Sequence, residues 1–213
     1  MYEVFEVSPH REAVPKSIHQ EIDYQIPYYK YRLMCVDLET TGLSPKKGDK
    51  IIEVGISVLK DGKFIPYKNW LVNPGFQISD KITEITGITN EMLDGKPSFK
   101  EIEDEFMEAL TCEPTIVFTY NLKFDKAFID AEVGDKDKLP LFFCALKLAK
   151  KSVDSSGYKL VDMIDYFKLA DTVNNSHRAT DDAVAAGEVF IKLAKKNRDF
   201  IHMSVADVMV YLK

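Results

Sequence analysis

From Leu33 onward the chain alternates short apolar runs with polar breaks. "LMCVDLE" is a mostly apolar run of strand length, and "IIEVGISVL" is a second. "KDGK" then sets Asp-Gly between extended runs, a hairpin signal that leads into a third strand in "FIPYKNWLV". These runs predict an antiparallel meander. The period next becomes helical: in "PSFKEIEDEFMEALT", Phe99, Ile102, Phe106 and Leu110 recur on one face, with Pro97 and Ser98 at the start. "TIVFTYN" is β-branched and aromatic, a buried strand. "FDKAFIDAEV" is helical, and "LPLFFCAL" is a strand running into the helix "KLAKKS". "YKLVDMIDYF" and the alanine-rich "RATDDAVAAGEVFIKLAKKN" predict two more helices, and "SVADVMVYL" a short last one. Three early strands followed by alternating helix and strand imply an α/β fold, a mixed sheet covered by helices.

Residues 1–31 differ from the rest of the chain, with a tyrosine-rich, aperiodic stretch in "EIDYQIPYYKYR". They are expected to form an N-terminal extension whose Tyr24, Tyr28, Tyr29 and Tyr31 pack on the main domain at 32–197. Residues 198–213 form a C-terminal helical appendage. No internal repeat or low-complexity tract interrupts the pattern.

Composition changes this picture little. At 46% hydrophobic and 29% charged, the chain matches a soluble globular protein with a sizeable core. It has neither an apolar run of about 20 residues to span a bilayer nor an apolar signal segment at its start. Cys35, Cys112 and Cys144 are too dispersed for a metal knuckle or a disulfide framework, so a reducing cytoplasm is expected. The net charge of −6 argues against bulk electrostatic coating of nucleic acid, though bound metal can supply positive charge locally.

The candidate chemistry begins at "VDLETTG". Asp37 and Glu39 follow an apolar strand and alternate along it, so their side chains share a face. Two carboxylates so close repel unless one is protonated or a cation lies between them. Open α/β sheets hold ligands at the carboxyl ends of their strands. "YNLKFD" brings Asn121, Phe124 and Asp125 to a second such end, and "HRATDD" sets His177 at a helix start with Asp182 in its first turns. Taken singly, Asp125 reads as a helix cap and "HRATDD" as a solvated helix start. Jointly, four carboxylates and a histidine at element ends point to one site.

The motifs "VDLETTGL", "ITGIT", "NLKFD" and "HRATDDA" resemble those of the DnaQ-like 3′–5′ exonucleases, with their four acids and a motif histidine, over roughly Leu33 to Lys196. The resemblance departs at Thr86, where many relatives carry histidine, and at Cys144-Ala145, where many carry Asp-Thr. It implies a ribonuclease H-like fold and hydrolysis of nucleic acid from a 3′ end, DNA rather than RNA, to nucleoside 5′-monophosphates. It also implies two Mg²⁺ or Mn²⁺ ions, with Asp37 bridging both, Glu39 and Asp182 completing one, and Asp125 holding the other. His177 would be the general base, and Thr40, Thr41, Leu43, Asn121 and Phe124 would bind substrate. A DNA polymerase is the partner the family suggests. Two alternatives stay open from the residues: the same site acting on RNA ends, and a silent module that binds nucleic acid or a polymerase.

The clusters Lys46, Lys47, Lys50 and Lys147, Lys150, Lys151 read as solvated charged faces before they read as phosphate contacts. "GDKDK" lacks the glycine and closing glutamate of a calcium loop.

Overall fold

The structure, a computed structural model, describes residues 22–174 and 176–213. Its centre is one five-stranded sheet. Strands β1 (Arg32–Thr40), β2 (Ile51–Lys60) and β3 (Lys63–Leu71) form the antiparallel meander that the Asp-Gly turn predicts. Asp61 and Gly62 both adopt positive φ in that turn, as the tight connection requires. Strands β4 (Thr115–Thr119) and β5 (Leu141–Cys144) add in parallel beside β1, so the sheet order is β3-β2-β1-β4-β5. This is the expected ribonuclease H-like mixed sheet.

Alternation along β1 divides the core into two layers. Met34, Val36 and Leu38 point into the apolar layer shared with Phe106 and Leu110 of α3 (Phe99–Thr111) and Phe128 and Ile129 of α4 (Leu122–Glu132). Leu33 and Cys35 point to the other face. There they meet α5 (Ala145–Ser152), α6 (Leu160–Tyr166), the long α7 (Ala179–Lys196) and α8 (Val205–Tyr211). Continuing along that second face, the next two positions of β1 are Asp37 and Glu39. The stripe turns from apolar to acidic at the strand's carboxyl end.

The α7 helix lies close on the sheet because its contact side is small. Ala179, Ala183, Ala185, Ala186 and Gly187 are all buried. A methyl on Gly187 would collide with the Phe64 ring, and one on Gly55 with the Ala179–Thr180 backbone. Ser57 Oγ donates to the Ala183 carbonyl at 2.8 Å, fixing the helix along its axis.

Helix α3 begins as predicted, with the Glu101 carboxylate accepting the Ser98 N–H at 2.7 Å. Residues 73–96, to which the pattern assigns no element, hold the short helices Asp80–Thr86 (α1) and Asn90–Leu93 (α2). The second, at four residues, is too short to show a helical period. Asn90 clasps the segment, its side chain bonding both N–H and C=O of Ile78 at 2.8 and 3.1 Å.

Of the tyrosine-rich segment, Tyr28 is fully buried against Phe118, Phe190 and Phe200, whereas Tyr24 is half exposed. Residues 1–21 of the expected extension lie outside the described residues. The segment is tied to the chain's other end: Pro27 bridges Ser204, and the N–H groups of Val205 and Ala206 donate to the carbonyls of Ile26 and Tyr24.

Candidate active site

Four elements converge at the carboxyl ends of β1 and β4. Asp37 and Glu39 come from β1, with Gly55 and Glu53 of β2 as their cross-strand partners. Asp125 comes from the first turn of α4 and is buried; Asp182 comes from the first turns of α7 and is also buried. His177 precedes α7, exposed and in a left-handed conformation at φ 54°. Glu39, His177 and Asp182 each offer a ligand atom, all within 4.8 Å of one another.

The electrostatics register the crowding. Burial, then the charges of Asp125, Asp182, Glu39 and Glu53, pushes the Asp37 carboxyl well above the usual carboxylate range. Burial with Asp182 and Glu53 lifts Glu39 to about 8, against an opposing pull from Arg178. Asp125 is raised to about 7 by burial, partly offset by the Thr119 hydroxyl and nearby backbone N–H groups. Asp182 is raised to about 6 by burial, offset by His177.

Adjacent acids in "TDD" divide the work. Asp181 turns away and accepts from Asn174 Nδ2 and Ser176 Oγ, each at 2.7 Å, bracing the loop before His177. Asp182 turns inward, and its Oδ1 is buried with no hydrogen-bond partner. An orphaned carboxylate oxygen beside the raised carboxyls of Asp37 and Glu39 is what a cation would satisfy. The donor set is carboxylate oxygen with one imidazole and no thiolate, which suits a hard divalent ion. The acids thus form a site fit for a divalent cation.

Beside them runs a groove of about 660 Å³, lined by Leu43, Pro45, Lys46, Asn121, Lys123 and Phe124 among others. Leu43 is 86% exposed on its rim. Phe124 is backed by Phe128, ring centroids 5.1 Å apart. Thr40 and Thr41 are not part of the groove wall. Thr40 Oγ1 donates to the Gly42 carbonyl at 2.7 Å, and Thr41 Oγ1 accepts from the Lys50 N–H at 3.0 Å, so both shape the turn that carries Leu43. The two departures from the expected motifs are structural as well. The Thr86 hydroxyl bonds within its own turn, to Ile82 and Ile88, and the Cys144 thiol lies over the Tyr120 carbonyl at 3.7 Å.

Residues 34–190 match the family model RNase_T, described as an exonuclease. The chain belongs to that exonuclease family. A DNA polymerase III subunit epsilon from Aquifex aeolicus is 33% identical over 76% of this chain and 80% of its own length. A PolC-type DNA polymerase III from Thermotoga petrophila is 30% identical over 90% of this chain. The match spans only 14% of that relative, so the chain corresponds to a small part of the PolC-type proteins it resembles. The fold is shared with Exonuclease X solved with 5′-overhanging duplex DNA, at a TM-score of 0.66 and 20% identity, over 85% of this chain and 99% of that one.

Sequence patterns alone do not single out Glu53. It is fully buried in β2 and accepts from Arg178 Nη2 at 2.7 Å, Arg178 Nε at 3.1 Å, Asn69 Nδ2 at 2.9 Å and the Ala179 N–H at 3.0 Å. Burial raises its pKa, but these donors outweigh it and hold the group below the usual range. Its only sequence signal is a lone acid inside an otherwise apolar strand.

Proposed function

We propose that this protein is a divalent-metal-dependent 3′–5′ exonuclease that removes nucleoside 5′-monophosphates from DNA ends. The observation that carries the reading is the convergence of Asp37, Glu39, Asp125 and Asp182 with His177, next to a groove rimmed by Leu43 and Phe124. The four acids would hold two Mg²⁺ or Mn²⁺ ions, which would supply charge neutralisation at the scissile phosphate and at the leaving oxygen.

The chain's own residues carry the rest. His177 is exposed at the edge of the acid cluster, where water reaches it, and takes a proton from the attacking water. Asp182, with a carboxylate oxygen within 4.8 Å of a His177 ring nitrogen, stabilises the imidazolium that results. Leu43 and Phe124 give the terminal nucleotide apolar faces to pack on, and an aromatic surface accepts any base. Asn121 offers an amide to the sugar or base. Thr40 and Thr41 contribute through the turn that presents Leu43. Lys46 and Lys123 border the same groove and attract the phosphate backbone.

Relatives named DNA polymerase III PolC-type and DNA polymerase III subunit epsilon support DNA as the substrate and a polymerase as a partner; the task we propose is removal of mispaired primer ends. The three free cysteines suit a reducing cytoplasm. Among the described residues no helix is long and apolar enough to cross a membrane.

The test is degradation of matched 5′-labelled DNA and RNA oligonucleotides with Mg²⁺, run beside Asp37→Ala. Stepwise shortening of the DNA, abolished in the variant, is the expected result. Faster loss of the RNA would overturn the DNA assignment, and an inactive parent protein would overturn the nuclease reading.

A further inference from the structure

Helix α7 carries the proposed ligand Asp182 near its start, directly after the proposed base His177. Its first residues have no cap of their own: Arg178, at the N-cap position, makes no side-chain capping bond. Three consecutive residues there are instead held from the sheet. Glu53 of β2 receives a bidentate fork from Arg178 and the backbone N–H of Ala179. Asn69 of β3 donates both to Glu53, at 2.9 Å, and to Thr180 Oγ1, at 2.7 Å.

His177 therefore stands between two carboxylate anchors, neither of them among the proposed metal ligands. Asp181 braces the loop on one side through Asn174 and Ser176, and Glu53 fixes Arg178 on the other. A histidine at positive φ is held there only by its surroundings. The body of α7 has separate attachments further along, at Ser57–Ala183 and at the Gly187–Phe64 contact.

We infer that Glu53 and Arg178 are a positioning pair: they set the first turn of α7, and with it His177 and Asp182, for hydrolysis. The inference rests on the exonuclease reading above. Arg178 acts through Glu53 as a planar fork, not as a positive charge offered to substrate. Lysine keeps the charge and loses the fork, so it separates these roles.

The experiment compares the parent protein with Arg178→Lys and Glu53→Gln. It measures kcat and KM on a DNA oligonucleotide and amide hydrogen exchange along α7. Glu53→Gln keeps the shape but leaves one of the donors without an acceptor. For both variants kcat is expected to fall about 10- to 100-fold, the range for residues that orient metal ligands, with KM within about twofold. Amides at 179–182 should exchange faster, while those at 186–192 keep their protection. Parental kcat in either variant overturns the inference. So does a raised KM at constant kcat, which would make Arg178 a substrate contact, and so does loss of protection along all of α7, which would make the pair a general fold clamp. An inactive parent protein overturns the exonuclease reading and this inference with it; an active parent with unaffected variants overturns the inference alone.

Discussion

Glu39 and Glu53 face each other across β1 and β2 as cross-strand partners, and only Glu53 has a direct counter-ion. Arg178 pairs with Glu53 and the Ala179 N–H donates to it, whereas Glu39 has no such partner and is pushed up to about 8 by burial and by the charges of Asp182 and Glu53, against the pull of Arg178. One carboxylate is finished by the protein, and the other is the one left for the cation of the proposed site.

Chelation is the first consequence. With excess chelator, turnover should vanish and return on adding Mg²⁺ or Mn²⁺. Binding of an ion to the folded state alone also raises stability, by about 2.7 kcal/mol at a hundred times its dissociation constant. Thermal melts with and without metal should therefore separate clearly. Equal melting temperatures would contradict the cation site even if activity were never measured.

Asp37→Asn should abolish turnover and, in chelator, make the protein more stable. Burial and four acidic neighbours oppose the charge and push the carboxyl well above its ordinary pKa, so an amide removes the cost of either bearing that charge or taking up a proton in the fold. A gain of about 1 kcal/mol is expected, of the size found when a function-strained residue is relaxed. Calorimetric unfolding in chelator checks it, and a destabilised variant would show that Asp37 is satisfied by the protein.

The metal-free protein should lose stability as pH rises. Glu39 at about 8, Asp125 at about 7 and Asp182 at about 6 all have raised folded-state values. Their protonated forms favour the fold fully below the unfolded carboxylate values of about 4, and the benefit is lost as pH climbs through those raised values. Glu53, shifted down, works in the opposite sense, and its contribution is lost only at acid pH below this window. Melting temperatures in chelator should fall between pH 5 and about 8.5. Saturating Mg²⁺ should flatten that slope.

His177→Ala tests whether the imidazole is a base or a ligand. As a base its loss should lower kcat by about 10²–10⁴-fold. Divalent-ion affinity, read by titration calorimetry, should stay within a few-fold of the parent. A parallel collapse of affinity would make His177 a metal ligand beside Glu39 and Asp182.

Gly55→Ala lies outside the acid cluster yet should disturb it. A methyl there meets the Ala179–Thr180 backbone, forcing the start of α7 off the sheet. Overpacking of this kind costs about 1–3 kcal/mol, and each kcal/mol lowers the melting temperature by roughly 2–4 °C in a chain of this size. Activity should fall with it, because Asp182 moves with the helix.

The meander, the strand end bearing Asp37 and Glu39, the helix start bearing Asp125, and the long α7 were legible because each shows its own period or turn signal. Glu53 was not, since its partner Arg178 is 125 residues away and no local pattern links them. Gly55 reads as a weak strand residue until the helix above it is known. Helix α2, at four residues, is too short to announce itself. Asp181 and Asp182 are chemically identical neighbours; the motif resemblance singled out Asp182, and only the turn of α7 shows one bracing a loop and the other facing the acids.

Tyr28 fills a socket walled by Phe118, Phe190 and Phe200, and Phe200 lies past the last family-matched residue, 190. A shortened version trimmed to the matched span would leave an aromatic hole on one side and bare rings on the other. A piece limited to the motif-bearing stretch is therefore expected to be less stable than one that takes in both Tyr28 and Phe200.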